Sequence, residues 1–279
     1  MTIAWVFPGQ GSQKLGMANS LQDLPGSRER FELASQILGR DLWKICSGEV
    51  APNEEIYDLN DTRNTQPALF VVESLLVDDL KRQGRETHMI AGHSLGEIVG
   101  LYSADVLDAK TALILLKKRS ELMAAAGGGT MIAVMGFDRD ELDDLIRETE
   151  GASIANDNSE SQVVLSGSPE AVRKVADNLK CKRAIPLQVS GAFHSIFMTE
   201  ASKSFNEELD QVTFQDSQVP VLSNVDPTPT VNGDILKDRL KKQMTTGVRW
   251  RETMQVMQNK GITTCLLYTS PSPRDTIRS

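Results

Sequence analysis

The stretch MIAGHSLGEIVG (89–100) constrains the chain more than any other. An apolar run breaks at a Gly-His-Ser-Leu-Gly turn and resumes in a pattern suited to a helix. Residues 87–92 read as a strand and 95–105 as the helix that follows, an α/β succession. Gly92 and Gly96 let the backbone turn sharply, and Ser94 then stands at the helix N-terminus. A serine there is either a helix cap or a nucleophile. The strand–turn–helix setting favours the nucleophile, with the N–H of Leu95 and the helix dipole available to an oxyanion.

A second strand, IAWVF (3–7), closes at the turn Pro8-Gly9-Gln10-Gly11. Helices are expected over 28–38, 65–83 and 108–125, the last ending at Gly127-Gly128-Gly129. Beyond that point the rhythm changes. Strands at 130–136, 152–157, 162–167 and 183–189 alternate with helices at 138–149 and 168–179, the β-α-β-β-α-β order of a ferredoxin-like unit. The expected fold is therefore α/β, with a smaller lobe inserted into a larger one. The large lobe takes 1–128 and 196–264, the small lobe 129–195. Residues 265–279 are set aside as a disordered or artefactual tail: LLYTSPSPRDTIRS has no helical periodicity and resembles the translated read-through of a sequencing adapter.

Several function classes are excluded by composition. Thirty basic against 38 acidic residues leave a net charge of −8, which argues against nucleic acid as a partner. LFVVESLLV and TALILL are too short or too interrupted to span a bilayer, and MTIAWVFPGQG lacks the basic start of a secretory signal. Cys46, Cys181 and Cys265 are few, odd in number and without a CxxC pair, so neither a disulfide framework nor a metal site is indicated. A cytoplasmic monomer is expected.

A serine nucleophile needs a base, and the chain holds only His88, His93 and His194. His88 precedes the elbow on a chain heading away from the hydroxyl. His93 adjoins Ser94, and neighbours in an extended segment point to opposite faces. His194, where the chain re-enters the large lobe, is the favoured base.

FPGQGSQ (7–13), GHSLGE (92–97), the arginine of KKRSELM (Arg119), NDNSESQVVLSG (156–167) and GAFHS (191–195) occur in this order. Together they resemble the malonyl-CoA:acyl carrier protein transacylases and the acyltransferase domains of fatty-acid and polyketide synthases, over residues 1 to about 264. The resemblance implies an α/β-hydrolase-like large lobe with a ferredoxin-like insertion. It implies Ser94 as nucleophile, His194 as base, the N–H groups of Gln10 and Leu95 as the oxyanion hole, and Arg119 as partner of the malonyl carboxylate. Gln243, in LKKQMTTGVRW, would orient the histidine through its backbone carbonyl in place of an acid. Asn158 would line the site, and Phe193 before His194 resembles the malonyl-selecting form of that motif.

The implied reaction moves malonyl from malonyl-CoA to the phosphopantetheine thiol of acyl carrier protein through an ester on Ser94, in fatty-acid synthesis, with no tightly bound cofactor. A serine esterase or thioesterase, and an inactive carrier-binding module, are the alternatives. For docking an acidic carrier, Lys182 and Arg183 in the run Lys180–Arg183 are the first choice. Lys237, Arg239, Lys241 and Lys242 form the rival patch.

Overall fold

A computed structural model describes residues 2–48, 58–189 and 191–267. IAWVF becomes β1 (Ile3–Phe7), and its alternating side chains sort to two cores. Trp5 and Phe7 enter the main core, while Ala4 and Val6 join a smaller one on the opposite face. Buried on both faces, this strand carries no polar residue.

Among the described residues, three α-helices lie between β1 and the next strand: α1 (Ser27–Leu38), α2 (Leu42–Ser47) and α3 (Thr62–Arg82). Pro67 inside α3 has no N–H for the carbonyl of Arg63. The Arg40 guanidinium donates to that carbonyl instead, at 2.7 Å, so the helix runs on. β2 (Met89–Gly92) pairs parallel with β1, and α4 (Gly96–Ser103) and α5 (Ala109–Ala125) follow.

The chain next forms β3 (Thr130–Phe137), α6 (Arg139–Glu148), β4 (Ala152–Ser159), β5 (Gln162–Gly167), α7 (Pro169–Asn178) and β6 (Cys181–Pro186). The strands lie in the order β4-β5-β3-β6, every neighbouring pair antiparallel, which is the ferredoxin-like arrangement. Ile132, Val134, Val163 and Leu165 pack beneath α6 and α7. Met131, Ala133 and Val164, on the other face, join the main core. The two lobes are thus packed on one another through this sheet.

The last small-lobe strand lies two residues earlier than the sequence indicated and ends three residues sooner. Pairing with β3 runs from Cys181 to Pro186, the Leu187 N–H makes a last bond to the Met131 carbonyl (2.9 Å), and Gln188 and Val189 then leave the sheet to line the cleft between the lobes.

Back in the large lobe come α8 (Thr199–Asp210), β7 (Val221–Leu222), α9 (Gly233–Gln243), α10 (Trp250–Asn259) and β8 (Thr264–Leu267). The parallel sheet has the order β7-β2-β1-β8. β8 corrects the tail boundary: Cys265, Leu266 and Leu267 pair with Ala4, Trp5 and Val6, so the sheet keeps three residues that were set aside with the tail. Their alternating apolar side chains fit a strand packed on both faces. The rest of that expectation, on 268–279, lies outside the described residues.

Candidate active site

The turn between β2 and α4 is tighter than ordinary side chains allow. A Cβ on Gly92 would fall 1.8 Å from the carbonyl oxygen of Gly96, and one on Gly96 would fall 2.4 Å from that of Phe7 and 2.6 Å from that of Pro8. The helix therefore starts against its own strand and against the loop that carries Gln10. Ser94, at the apex, has φ 55°, a left-handed conformation that costs a non-glycine residue about 1–3 kcal/mol.

Two side chains from distant segments hold it there. Asn224 accepts from the Ser94 N–H (2.7 Å) and donates to the Gly92 carbonyl (2.6 Å). Gln243 Nε2 donates to the Ser94 carbonyl (3.0 Å). Both backbone groups of the strained residue are satisfied by amides.

His194, itself at φ 56° and buried, places Nε2 2.8 Å from Ser94 Oγ. Its Nδ1 lies 2.9 Å from the Gln243 carbonyl oxygen. A carbonyl only accepts, so Nδ1 carries the proton and bare Nε2 faces the serine hydroxyl. Burial first, and the Arg119 cation second, hold the imidazole pKa down to about 3. At neutral pH it is an unprotonated base.

Arg119, on α5, is 1% exposed. Nη1 donates to Gln66 Oε1 (2.7 Å), and Nη2 to Gln243 Oε1 (2.9 Å) and Ser94 Oγ (3.0 Å). Nε has no partner among the described residues. Burial lowers its pKa to about 10, opposed by the charge of Glu97, so the guanidinium is cationic at pH 7.

Glu97, in the first turn of α4, is the acid missing from the sequence reading. It is buried, and accepts from Gln243 Nε2 (2.7 Å) and from the Asn224 N–H (3.1 Å). Burial raises its pKa, while these hydrogen bonds and Arg119 favour the carboxylate. The Gln243 side chain thus bridges cation and carboxylate, while its backbone carbonyl orients the histidine.

Of the residues singled out by sequence, Ser94, His194, Arg119 and Gln243 share this network. The N–H groups of Gln10 and Leu95 are taken by no other described residue. Gln10, Thr62, Val189 and Phe193 line a cleft of about 580 Å³. Asn158 meets His93 rather than the dyad: its Oδ1 lies 3.0 Å from His93 Nε2, across the lobe boundary. Lys182 and Arg183 are exposed on β6, an edge strand that continues into the cleft-lining Gln188 and Val189.

Sequence reading missed Thr62, Gln66, Glu97 and Asn224. Glu97 alone carried a signal, as an acid in the first turn after the elbow. Among the described residues, no group of three or more His, Cys, Asp or Glu side chains is placed to hold a metal ion, and no helix is long and apolar enough to cross a membrane.

The family described as "Acyl transferase domain" matches residues 4–271. A malonyl CoA-acyl carrier protein transacylase of Synechocystis sp. is 48% identical over 263 residues, covering 94% of this chain and 88% of that relative. The crystal structure of the Synechocystis malonyl-CoA:ACP transacylase superposes with a TM-score of 0.90 at 47% identity, over 95% of this chain and 88% of that one. An acyl carrier protein S-malonyltransferase from Vibrio cholerae gives 0.89 at 32% identity, over 98% and 90%.

Proposed function

Because the chain belongs to the malonyl-CoA:acyl carrier protein transacylase family of acyltransferases, we propose that Ser94 is the residue on which it carries the malonyl group. The enzyme transfers malonyl from malonyl-CoA to the phosphopantetheine thiol of acyl carrier protein by a ping-pong route, in fatty-acid synthesis. Ser94 Oγ attacks the thioester carbonyl as its proton passes to His194 Nε2, 2.8 Å away. The oxyanion so formed accepts from the N–H groups of Leu95 and Gln10. On collapse the C–S bond breaks, and His194 returns the proton to the departing coenzyme A thiol. The carrier thiol then gives its proton to His194 and attacks the ester. The tetrahedral centre collapses with release of Ser94 Oγ, which takes that proton back.

The observation that carries this reading is the buried Arg119 guanidinium, 3.0 Å from the nucleophile. Once Ser94 Oγ is acylated, Nη2 gives up its bond to that oxygen, and the freed N–H with the unpartnered Nε offers a side-on fork to the malonyl carboxylate. Phe193 lines the cleft together with Gln10, and Asn158 acts through His93 rather than on substrate. The assembled Ser94–His194 pair stands against an inactive module, and family membership against a hydrolase.

We assign 1–128 and 196–267 to the catalytic lobe and 129–195 to the inserted one. We place the protein in the cytoplasm, where its three free cysteines are at home. The carrier docks on Lys182 and Arg183. Neither forms an ion pair with a described residue, whereas in the rival patch Arg239 is paired with Asp226 and Lys241 with Asp210. A free cation is worth more to an acidic partner than a neutralised one.

Intact mass tests the chemistry. Malonyl-CoA should add one malonyl group, holo carrier protein should remove it, and Ser94→Ala should take up none. Malonyl uptake by Ser94→Ala at the parent rate would overturn the assignment. Lys182→Glu with Arg183→Glu should slow the carrier step in a salt-dependent way and leave Ser94 acylation near normal. An unchanged carrier step would remove the docking site.

A further inference from the structure

Three hydrogen bonds, all running one way, join Arg119 to the loop that carries Gln10. Arg119 Nη1 donates to Gln66 Oε1 (2.7 Å), Gln66 Nε2 to Thr62 Oγ1 (3.0 Å), and Thr62 Oγ1 to Gln10 Oε1 (2.8 Å). Thr62 and Gln66 lie one turn apart on α3, and both are buried. The direction is forced from its origin. A guanidinium has donors only, so Gln66 must turn its carbonyl to Arg119 and its NH2 to Thr62. Already accepting from Gln66, the Thr62 hydroxyl spends its single proton on Gln10. Among the described residues, no other group is hydrogen-bonded to the Gln10 amide side chain.

The Gln10 loop has bonds of its own, Ser12 Oγ to the Gly9 carbonyl (2.8 Å) and Gln13 Nε2 to Asn60 Oδ1 (3.1 Å), but these hold the residues on either side of Gln10 and not Gln10 itself. Gln10 is exposed, in a loop between β1 and the helices, with its N–H uncommitted. An oxyanion donor is useful only if held where the charge will develop, because a loose one must reorganise during reaction. A chain of hydrogen bonds that begins at a buried cation is charge-assisted and mutually polarised, and supplies that hold.

Resting on the reading of Ser94 as nucleophile and Gln10 as oxyanion donor, we propose that Thr62 is a positioning residue. Through Gln66 it ties the oxyanion loop to the arginine that reads the acyl carboxylate. One cation then serves two ends of the substrate: Nε, with the Nη2 hydrogen released by the acylated serine, serves the carboxylate, and Nη1 anchors the loop that meets the thioester oxygen.

The test is single-turnover acylation of Ser94 by saturating malonyl-CoA, followed by intact mass. Thr62→Val keeps the shape and removes the hydroxyl. It should lower the acylation rate constant about tenfold, part of the roughly 10²–10³-fold attached to deleting an oxyanion donor outright. Half-saturation by malonyl-CoA should shift less than twofold, since Thr62 touches the loop and not the carboxylate. Thr62→Ser, which restores the hydroxyl, should recover most of the rate. In an Arg119→Ala background the relay has lost its origin, and Thr62→Val should cost less than twofold more.

Thr65→Val controls for simple loosening of the helix start. It deletes a neighbouring buried bond, from Thr65 Oγ1 to the Leu59 carbonyl at 2.6 Å, outside the relay. That variant should melt earlier and acylate at the parent rate. A Thr62→Val enzyme as fast as the parent, a Thr62→Ser enzyme as slow as Thr62→Val, or a Thr65→Val enzyme equally slowed would each overturn the relay. Parent protein that takes up no malonyl would overturn the catalytic reading itself, and is told apart because it needs no variant.

Discussion

Replacing Arg119 with alanine should turn a malonyl-selective enzyme towards acetyl, and the structure sets the scale. The guanidinium is almost fully buried, and its direct partners, Gln66, Gln243 and Ser94, are all uncharged. Its Nε lacks a partner among the described residues. Leaving such a donor unmade costs about 1–3 kcal/mol, which an incoming carboxylate recovers and an acetyl methyl does not. Removing the cation instead strands the malonyl carboxylate in a buried site, a loss of about 3–5 kcal/mol. At about 1.4 kcal/mol per decade, kcat/KM for malonyl-CoA should fall roughly 150- to 4000-fold. Acetyl-CoA has no charge to strand, so the malonyl-to-acetyl ratio should drop by at least about two decades.

Arg119→Lys should recover little of this. An ammonium is a point charge and cannot reach Gln66, Gln243 and a carboxylate in one plane. The assay is acylation with each thioester separately and in competition. Retained acetyl transfer shows that Ser94 and His194 still meet, which separates lost selectivity from lost fold. A malonyl-to-acetyl ratio unchanged in Arg119→Ala, or restored in Arg119→Lys, would refute the reasoning.

Four further outcomes are expected. With its pKa depressed to about 3, His194 is already a free base at pH 6, so the acylation rate should stay level between pH 8 and pH 5 instead of halving near 6.5. His194→Ala should slow acylation by roughly 10²–10⁴-fold at any of these pH values. Glu73 is buried on α3 without a partner among the described residues, and burial raises its carboxyl pKa well above the ordinary range. A raised folded pKa gives stability that is complete below about pH 4.3 and lost as pH rises through the folded value. Glu73→Gln should therefore raise the melting temperature more at pH 8 than at pH 4, and an equal shift at both would show that Glu73 does not titrate between them. Gly96→Ala would put a methyl 2.4 Å from the Phe7 carbonyl oxygen, and should cost most of the acylation rate by displacing the Gln10 loop from Ser94, checked by single-turnover acylation.

Much of the site was legible because its chemistry sits in short, local patterns. A turn bounded by Gly92 and Gly96 sets Ser94 at a helix start whatever surrounds it, since backbone sterics act over a few residues. With only three histidines in the chain, His194 was reachable by elimination of the others and by its place at the lobe junction. The alternation of strands and helices over 130–189 set the ferredoxin-like order in the same way, within segments of six to twelve residues. Boundaries were weaker: the end of β6 depends on what β3 offers opposite it, and β8 on an open edge of β1.

Tertiary structure alone decided how the polar residues are used. Nothing local distinguishes Gln66 from a surface glutamine, or Arg119 from the two lysines before it. Their roles arise from burial and from partners far along the chain: Gln66 lies 53 residues from Arg119, Asn224 130 from Ser94, and Gln243 146 from Glu97. A hydrogen bond takes its strength from the removal of water around it, and that depends on which segments fold over the site. Sequence determined where Ser94 would stand; packing determined that a cation, an amide and a carboxylate would be held in line behind it, because only the closed core makes an unpaired charge costly enough to require partners.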